Sequence, residues 1–181
     1  WSLIILSYIS SSPFTGRTVI SIYTHTKDTQ QISIIFDFIK ILLLEIYLNN
    51  FKNNLKNIRS LLKPTTKMCV AVKANGYGNG AVRCAKTAIE SGADYLAIAT
   101  ISEGIELRQA GIKAPILMLS LCCPQEIELV IRNSITPLVF DEEMINLYDE
   151  KVELLKNELN LKEKFSVHIA IDSGMGRIGC L

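Results

Sequence analysis

An α/β fold with a parallel sheet buried on both faces is predicted by three features of the sequence. From residue 45 onward, short and almost wholly apolar runs alternate with amphipathic stretches. Gly or Pro repeatedly punctuates the ends of those stretches. The alternation recurs five times, the rhythm of βα units.

Each element follows from its residues. NNFKNNLKNIRSLLK (49–63) spaces Phe51, Leu55, Ile58, Leu61 and Leu62 as one face of a helix, and Pro64 stops it. MCVAVK (68–73) is a short buried strand. AVRCAKTAIES (81–91) is a helix closed by Gly92. DYLAIAT (94–100) is the next strand, and SEGIELRQAG (102–111) the next helix, again ending in Gly. PILMLS (115–120) is a strand, and PQEIELVIRN (124–133) a helix with proline at its start. TPLVF (136–140) is the fourth strand. DEEMINLYDEKVELLKNEL (141–159) is a long helix with Asp141 as its cap. KFSVHIAID (164–172) is the fifth strand, followed by SGMGRIGC.

An open doubly wound sheet and a (β/α)8 barrel share this rhythm. No G-x-G-x-x-G follows the first strand, and a lysine that precedes its glycines is not a Walker loop. The reading is therefore a partial (β/α)8 TIM-type barrel of about five βα units, in which chemistry belongs at the carboxyl ends of the strands.

At 181 residues, 49% of them hydrophobic, the chain suits about one domain with a sizeable core. A net charge of +1 with interspersed signs offers no surface for nucleic acid. The five cysteines (Cys69, Cys84, Cys122, Cys123 and Cys180) lack C-x-x-C spacing, so reduced thiols in a cytoplasmic protein are expected, and no metal site. Residue 1 is Trp, which reads as a fragment or a processed chain. Residues 1–44, rich in Ser, Thr and Ile without a steady period, form an unassigned leader, whereas 45–181 is the domain. ISIIFDFIKILLLEIYL (32–48) is apolar, but Asp37, Lys40 and Glu45 would each cost a spanning helix about 2.5–3.5 kcal/mol, which argues against a membrane span.

AVKANGYGNG (71–80) carries the chemistry. Lys73 ends an apolar run, a place where an amine must be shifted in pKa, paired or used. Gly76, Gly78 and Gly80 follow, with Tyr77 among them. At the other end of the chain, DSGMGR sets Arg177 behind Gly174 and Gly176, at the end of the fifth strand. In a barrel both segments lie on one rim.

EIYLNNFKNNLKNI, AVKANGYGNGAV, ADYLAIATISEGIELRQAGIKAPILMLS and VHIAIDSGMGRIG together resemble the amino-terminal barrel domain of the alanine racemases, from about residue 45 to the end. The resemblance implies a pyridoxal 5'-phosphate enzyme that interconverts L- and D-alanine, supplying D-alanine for peptidoglycan. Lys73 would hold the cofactor through its amine and act as a proton carrier on one face of the substrate. Burial would lower the pKa of that amine. Tyr77 would reach the cofactor phosphate. Arg177 would sit beside the cofactor's phenolic oxygen and bind the substrate carboxylate. Two positions depart from the family's pattern. Asn79 replaces a histidine, and Ala170 replaces a lysine, often carbamylated, that steadies the arginine. Another group must then position Arg177, or the site is looser.

The resemblance also implies a homodimer, in which a carboxyl-terminal β-domain absent from this chain supplies a tyrosine to the second face of the substrate. Alternatives are the same barrel acting on another amino acid as racemase or decarboxylase, and a non-catalytic pyridoxal phosphate carrier. Arg177 could instead merely pair with Asp172, and His168 reads as a core or rim histidine. Five strands cannot close a barrel of eight, and the last would present an unpaired edge. Residues 1–181 expressed alone should therefore aggregate or show negligible racemisation. Soluble protein turning over alanine at ordinary enzymatic rates contradicts this.

Overall fold

The computed structural model describes residues 46–161 and 164–180. The leader 1–44 and most of the apolar run 32–48 lie outside the described residues. Among the described residues no helix is long and apolar enough to cross a membrane. The chain divides into two compact units between Phe51 and Lys52. The described part of the first unit opens helix α1 (Leu48–Leu61), and every described strand belongs to the second.

Four strands form a parallel sheet in chain order: β1 (Cys69–Ala71), β2 (Tyr95–Ile98), β3 (Ile116–Met118) and β4 (Ile135–Thr136). Val70 pairs with Leu96, Leu96 with Ile116, and Ile116 with Ile135. β5 (Leu138–Val139) pairs in parallel with β6 (His168–Ile169). β4 and β5 are one run interrupted at Pro137. Proline has no N–H to give the ladder, but its carbonyl accepts from His168 N at 2.9 Å, and Val139 O accepts from Ala170 N at 2.8 Å. The ladder thus passes from β3 on one side of Pro137 to β6 on the other.

The helices alternate with these strands as the sequence predicts: α2 (Ala81–Glu90), α3 (Ile101–Gln109), α4 (Ile127–Arg132, entered by a 3-10 turn at Pro124–Glu126) and α5 (Glu142–Leu155). Asp141 caps α5 by accepting from Met144 N at 2.7 Å. Leu96, Ile98, Ile116, Met118, Ile135 and Val139 are almost wholly excluded from solvent, so the sheet interior is the core. The sheet also curves. The Tyr95 and His168 rings, at the starts of β2 and β6, meet edge to face with centroids 6.4 Å apart, although two strand positions separate them.

The final strand departs from expectation. The run 164–172 predicts a long buried strand, whereas β6 has two residues, both exposed, and Ile169 and Ile171 are 65% and 72% exposed. Among the described residues it pairs with β5 on one side alone, the unpaired edge expected of the last strand. At α1 the apolar face also narrows: Leu55 is buried, but Ile58 and Leu61 are 46% and 86% exposed. Charge anchors that helix. Asp94, at the start of β2, accepts from Met68 N at 2.8 Å and pairs with Arg59 at 3.2 Å and Lys67 at 3.3 Å.

A second polar clamp is Arg108. Its guanidinium donates to the carbonyls of Asn133, Ile112, Ala114 and Ser134 at 2.8–2.9 Å, fastening the turns that lead into β3 and β4. At the opposite end of α3 the contact is closer still. A Cβ placed on Gly104 would lie 2.8 Å from Ile98 Cδ1 and 3.0 Å from Ile135 Cδ1, so a side chain here would have to push both isoleucine tips aside. Gly104→Val should lower stability by about 1–3 kcal/mol through overpacking, read as a lower midpoint in urea. An unchanged midpoint contradicts the packing described.

Candidate active site

β1 ends at Ala71, and the chain turns sharply. Ala74 (φ 51°), Asn75 (φ 53°), Gly76 (φ 62°) and Tyr77 (φ 55°) form a consecutive left-handed run, and Gly78 and Gly80 follow with φ of 84° and 90°. Left-handed backbone costs about 1–2 kcal/mol at a residue with a Cβ, and less at Asn. Hydrogen bonds offset that cost. Gly76 N donates to Val72 O at 2.8 Å, Gly78 N to Ala74 O at 3.0 Å, and Gly80 N to Asn75 O at 2.8 Å.

Two side chains complete the turn. Asn75 Oδ1 accepts from Ala81 N at 2.9 Å and so fastens the turn to the first residue of α2. Asn79 Nδ2 donates to Gly76 O at 2.9 Å and Tyr77 O at 3.1 Å. The family's histidine position is thus filled here by a residue that braces the turn's carbonyls. Gly76 suits the same left-handed backbone, and a Cβ there would lie 3.3 Å from Cys84 Sγ, close enough that the thiol would have to shift.

Lys73 stands at the head of this turn, two residues past the end of the strand, and is half-buried. The buried strand-end amine expected from the sequence is therefore corrected: β1 ends at Ala71, so Lys73 lies past the strand and is only half enclosed. Tyr77 is 47% exposed, so its ring is available at the surface of the turn. Glu103, near the start of α3, reaches across. Its Oε1 accepts from Ala74 N at 2.6 Å, and its Oε2 from Ala99 N at 2.7 Å and Thr100 N at 3.2 Å.

Arg177 lies on the second loop. Asp172 N donates to Cys180 O at 2.8 Å and Cys180 N to Ala170 O at 3.0 Å, closing residues 170–180 at the neck. A Cβ on Gly179 would fall 2.5 Å from Asp172 N, so the neck admits only glycine. Asp172 Oδ1 accepts from Gly174 N at 2.8 Å and Gly176 N at 3.0 Å. The carboxylate is engaged with backbone amides, and the described ion pairs do not join it to Arg177. Asp172 thereby supplies order to the loop that carries Arg177. Arg177 itself is exposed. Because all the strands run parallel, the Lys73 turn and the Arg177 loop both leave the sheet at its carboxyl rim.

Lys73, Tyr77 and Arg177 are thus placed on two loops of one rim. Sequence reasoning missed the residues that hold those loops. Thr100 followed three residues later by Glu103 is a capping-box signal, which accounts for the bond to Thr100 N but not for the one to Ala74 N. Nothing local to Asn75 or Asp172 marks them beyond a tolerance for turns.

The arrangement defines a (β/α)-barrel domain with a lysine turn and a glycine-rich arginine loop at its carboxyl rim. The family profile described as "Alanine racemase, N-terminal domain" matches residues 46–181, and the chain belongs to that family. It is 47% identical over 135 residues to an alanine racemase of Treponema denticola, covering 75% of this chain and 34% of that protein. It is 41% identical over 135 residues to an alanine racemase of Carboxydothermus hydrogenoformans, covering 75% and 35%. Among solved structures, the alanine racemase of Clostridium difficile 630 matches with a TM-score of 0.69 at 43% identity, covering 74% of this chain and 34% of that one. One from Bacillus anthracis with bound L-Ala-P matches with 0.64 at 36%, covering 74% and 33%. The chain spans about a third of the length of these relatives, and its fold is part of a TIM-type barrel.

The amides of Gly176 and Gly174 hold the Asp172 carboxyl below the usual carboxylate range. A depressed folded-state pKa contributes order that is complete above the ordinary aspartate value, about 4, and is lost as pH falls through the lowered one. Hydrogen-exchange protection of the Gly174 and Gly176 amides should therefore hold at neutral pH and decline below about pH 4. Asp172→Ala, which removes the acceptor oxygen, should lose it at every pH. Protection that survives in that variant contradicts the role given to Asp172.

Proposed function

We propose that the protein is a pyridoxal 5'-phosphate-dependent alanine racemase and that this chain supplies its lysine-bearing barrel. The carrying observation is the braced left-handed turn that fixes Lys73 and Tyr77 on the same rim as the Arg177 loop. The donor set fits the cofactor. A primary amine suits its aldehyde, a phenol its phosphate and a guanidinium an adjoining carboxylate. The rim also leaves room, since a Cβ on Gly78, Gly80, Gly174 or Gly176 would meet nothing within 4 Å.

When bound, the cofactor draws off the electron pair left as the substrate's α-proton departs. Lys73 would hold the cofactor and would carry the α-proton on one face of the substrate. Tyr77 would donate its hydroxyl to the cofactor's phosphate. Arg177 orients the substrate carboxylate so that the α-hydrogen stands toward Lys73, the positional advantage that brings reacting atoms into line.

Relatives sharing up to 47% of residues are alanine racemases, which supports alanine as the substrate. The reading extends to a homodimer whose partner subunit supplies the second proton carrier, and to D-alanine made for peptidoglycan. The free thiols support a reducing, cytoplasmic location.

The full-length protein mixed with pyridoxal 5'-phosphate should gain a visible absorbance band that Lys73→Ala abolishes. Tyr77→Phe should keep the band and weaken cofactor affinity about tenfold, the effect of one hydrogen bond to a charged group. A Lys73→Ala protein that retains the same borohydride-trappable adduct contradicts the assignment.

A further inference from the structure

Glu103 is not one of the groups assigned above to cofactor or substrate, yet it is half-buried and uses both carboxylate oxygens. One oxygen gathers the two amides at the start of α3, Ala99 N and Thr100 N. The other takes Ala74 N, the amide of the residue that follows Lys73 and opens the left-handed run. The turn's other hydrogen bonds come from residues 72–84, its own segment and α2, while Val72 N, just before Lys73, donates to Ala97 O of β2 at 2.8 Å. Past Lys73, Glu103 adds a side-chain tie to the second βα unit.

From these contacts we infer that Glu103 is a positioning residue for Lys73. A bond from a carboxylate to a backbone amide is among the stronger hydrogen bonds of a fold. Here it fixes the peptide plane immediately after Lys73, and so the direction in which the Lys73 side chain leaves the backbone. Without it, the left-handed backbone at Ala74 loses an external restraint at its first residue, and relaxation there would swing Lys73 away from the rim. Gly104 makes the reach possible, because the absence of a side chain lets the start of α3 lie against Ile98 and Ile135. Glu103 touches neither cofactor nor substrate in this account and acts through Lys73 alone.

The inference rests on the proposed role of Lys73, and the test separates the two. The full-length protein is incubated with pyridoxal 5'-phosphate and reduced with borohydride, and adducts are quantified peptide by peptide, with exposed Lys113 as an internal reference. In the unaltered protein, labelling at Lys73 should far exceed that at Lys113. Glu103→Gln keeps the shape of the side chain and one acceptor oxygen, so it provides a folded variant even where Glu103→Ala does not. In it, Lys73 labelling relative to Lys113 should fall about tenfold, exchange at the Ala74 amide should speed up, and the far-ultraviolet dichroism should stay unchanged. Glu103→Asp, too short to span both loops, should fall at least as far.

Equal Lys73 labelling in Glu103→Gln and the unaltered protein overturns the positioning role. So does a loss shared equally by Lys73 and Lys113, because that is the mark of a general structural role. Absence of preferential Lys73 labelling in the unaltered protein overturns the cofactor assignment itself, and this inference with it.

Discussion

The site depends on a backbone constraint. Between Ala74 and Tyr77 the chain runs left-handed, and three of those four residues carry a Cβ. Each such residue is disfavoured by about 1–2 kcal/mol when nothing holds it, asparagine less than the others. The run persists because its amides and carbonyls find partners within the turn, at Asn75 and Asn79, and at Glu103. Strain at one segment that its surroundings determine is a pattern associated with functional sites. Here its effect is to stop β1 early and leave Lys73 on the rim, half-exposed to whatever binds there.

The second loop reaches the same rim by different means. Its neck is closed by backbone bonds between residues 170–172 and Cys180, and its middle is gathered onto the Asp172 carboxylate. In both loops a carboxylate accepts backbone amides next to the residue proposed to work, Glu103 beside Lys73 and Asp172 before Arg177. The sheet beneath brings the loops together, because parallel strands in chain order send every βα loop to one side.

Much of this was legible in the residues. Helices and strands from 68 to 155 fall where apolar spacing, Gly92, Pro124 and Asp141 put them, because each element is decided locally by period and cap. The 164–172 run predicts too long a strand, since β6 keeps two residues, but its unpaired edge is expected of a last strand. Lys73, Tyr77 and Arg177 stand out as candidates through their motifs. Glu103 and Asp172 were not, since their partners are backbone amides whose positions exist only after folding. A glutamate three residues after Thr100 announces a helix cap, and nothing in sequence links it to Ala74, 29 positions earlier.

The central claim is that this turn, held by Glu103, presents Lys73 to the cofactor. Its most direct test is a crystal structure of the full-length protein grown with pyridoxal 5'-phosphate. The account predicts density continuous from Lys73 Nζ to the cofactor, residues 74–77 left-handed, and Glu103 on the Ala74 amide as it is here, at 2.6 Å. Cofactor density joined to another lysine, or a right-handed turn with Glu103 turned to solvent, would contradict it.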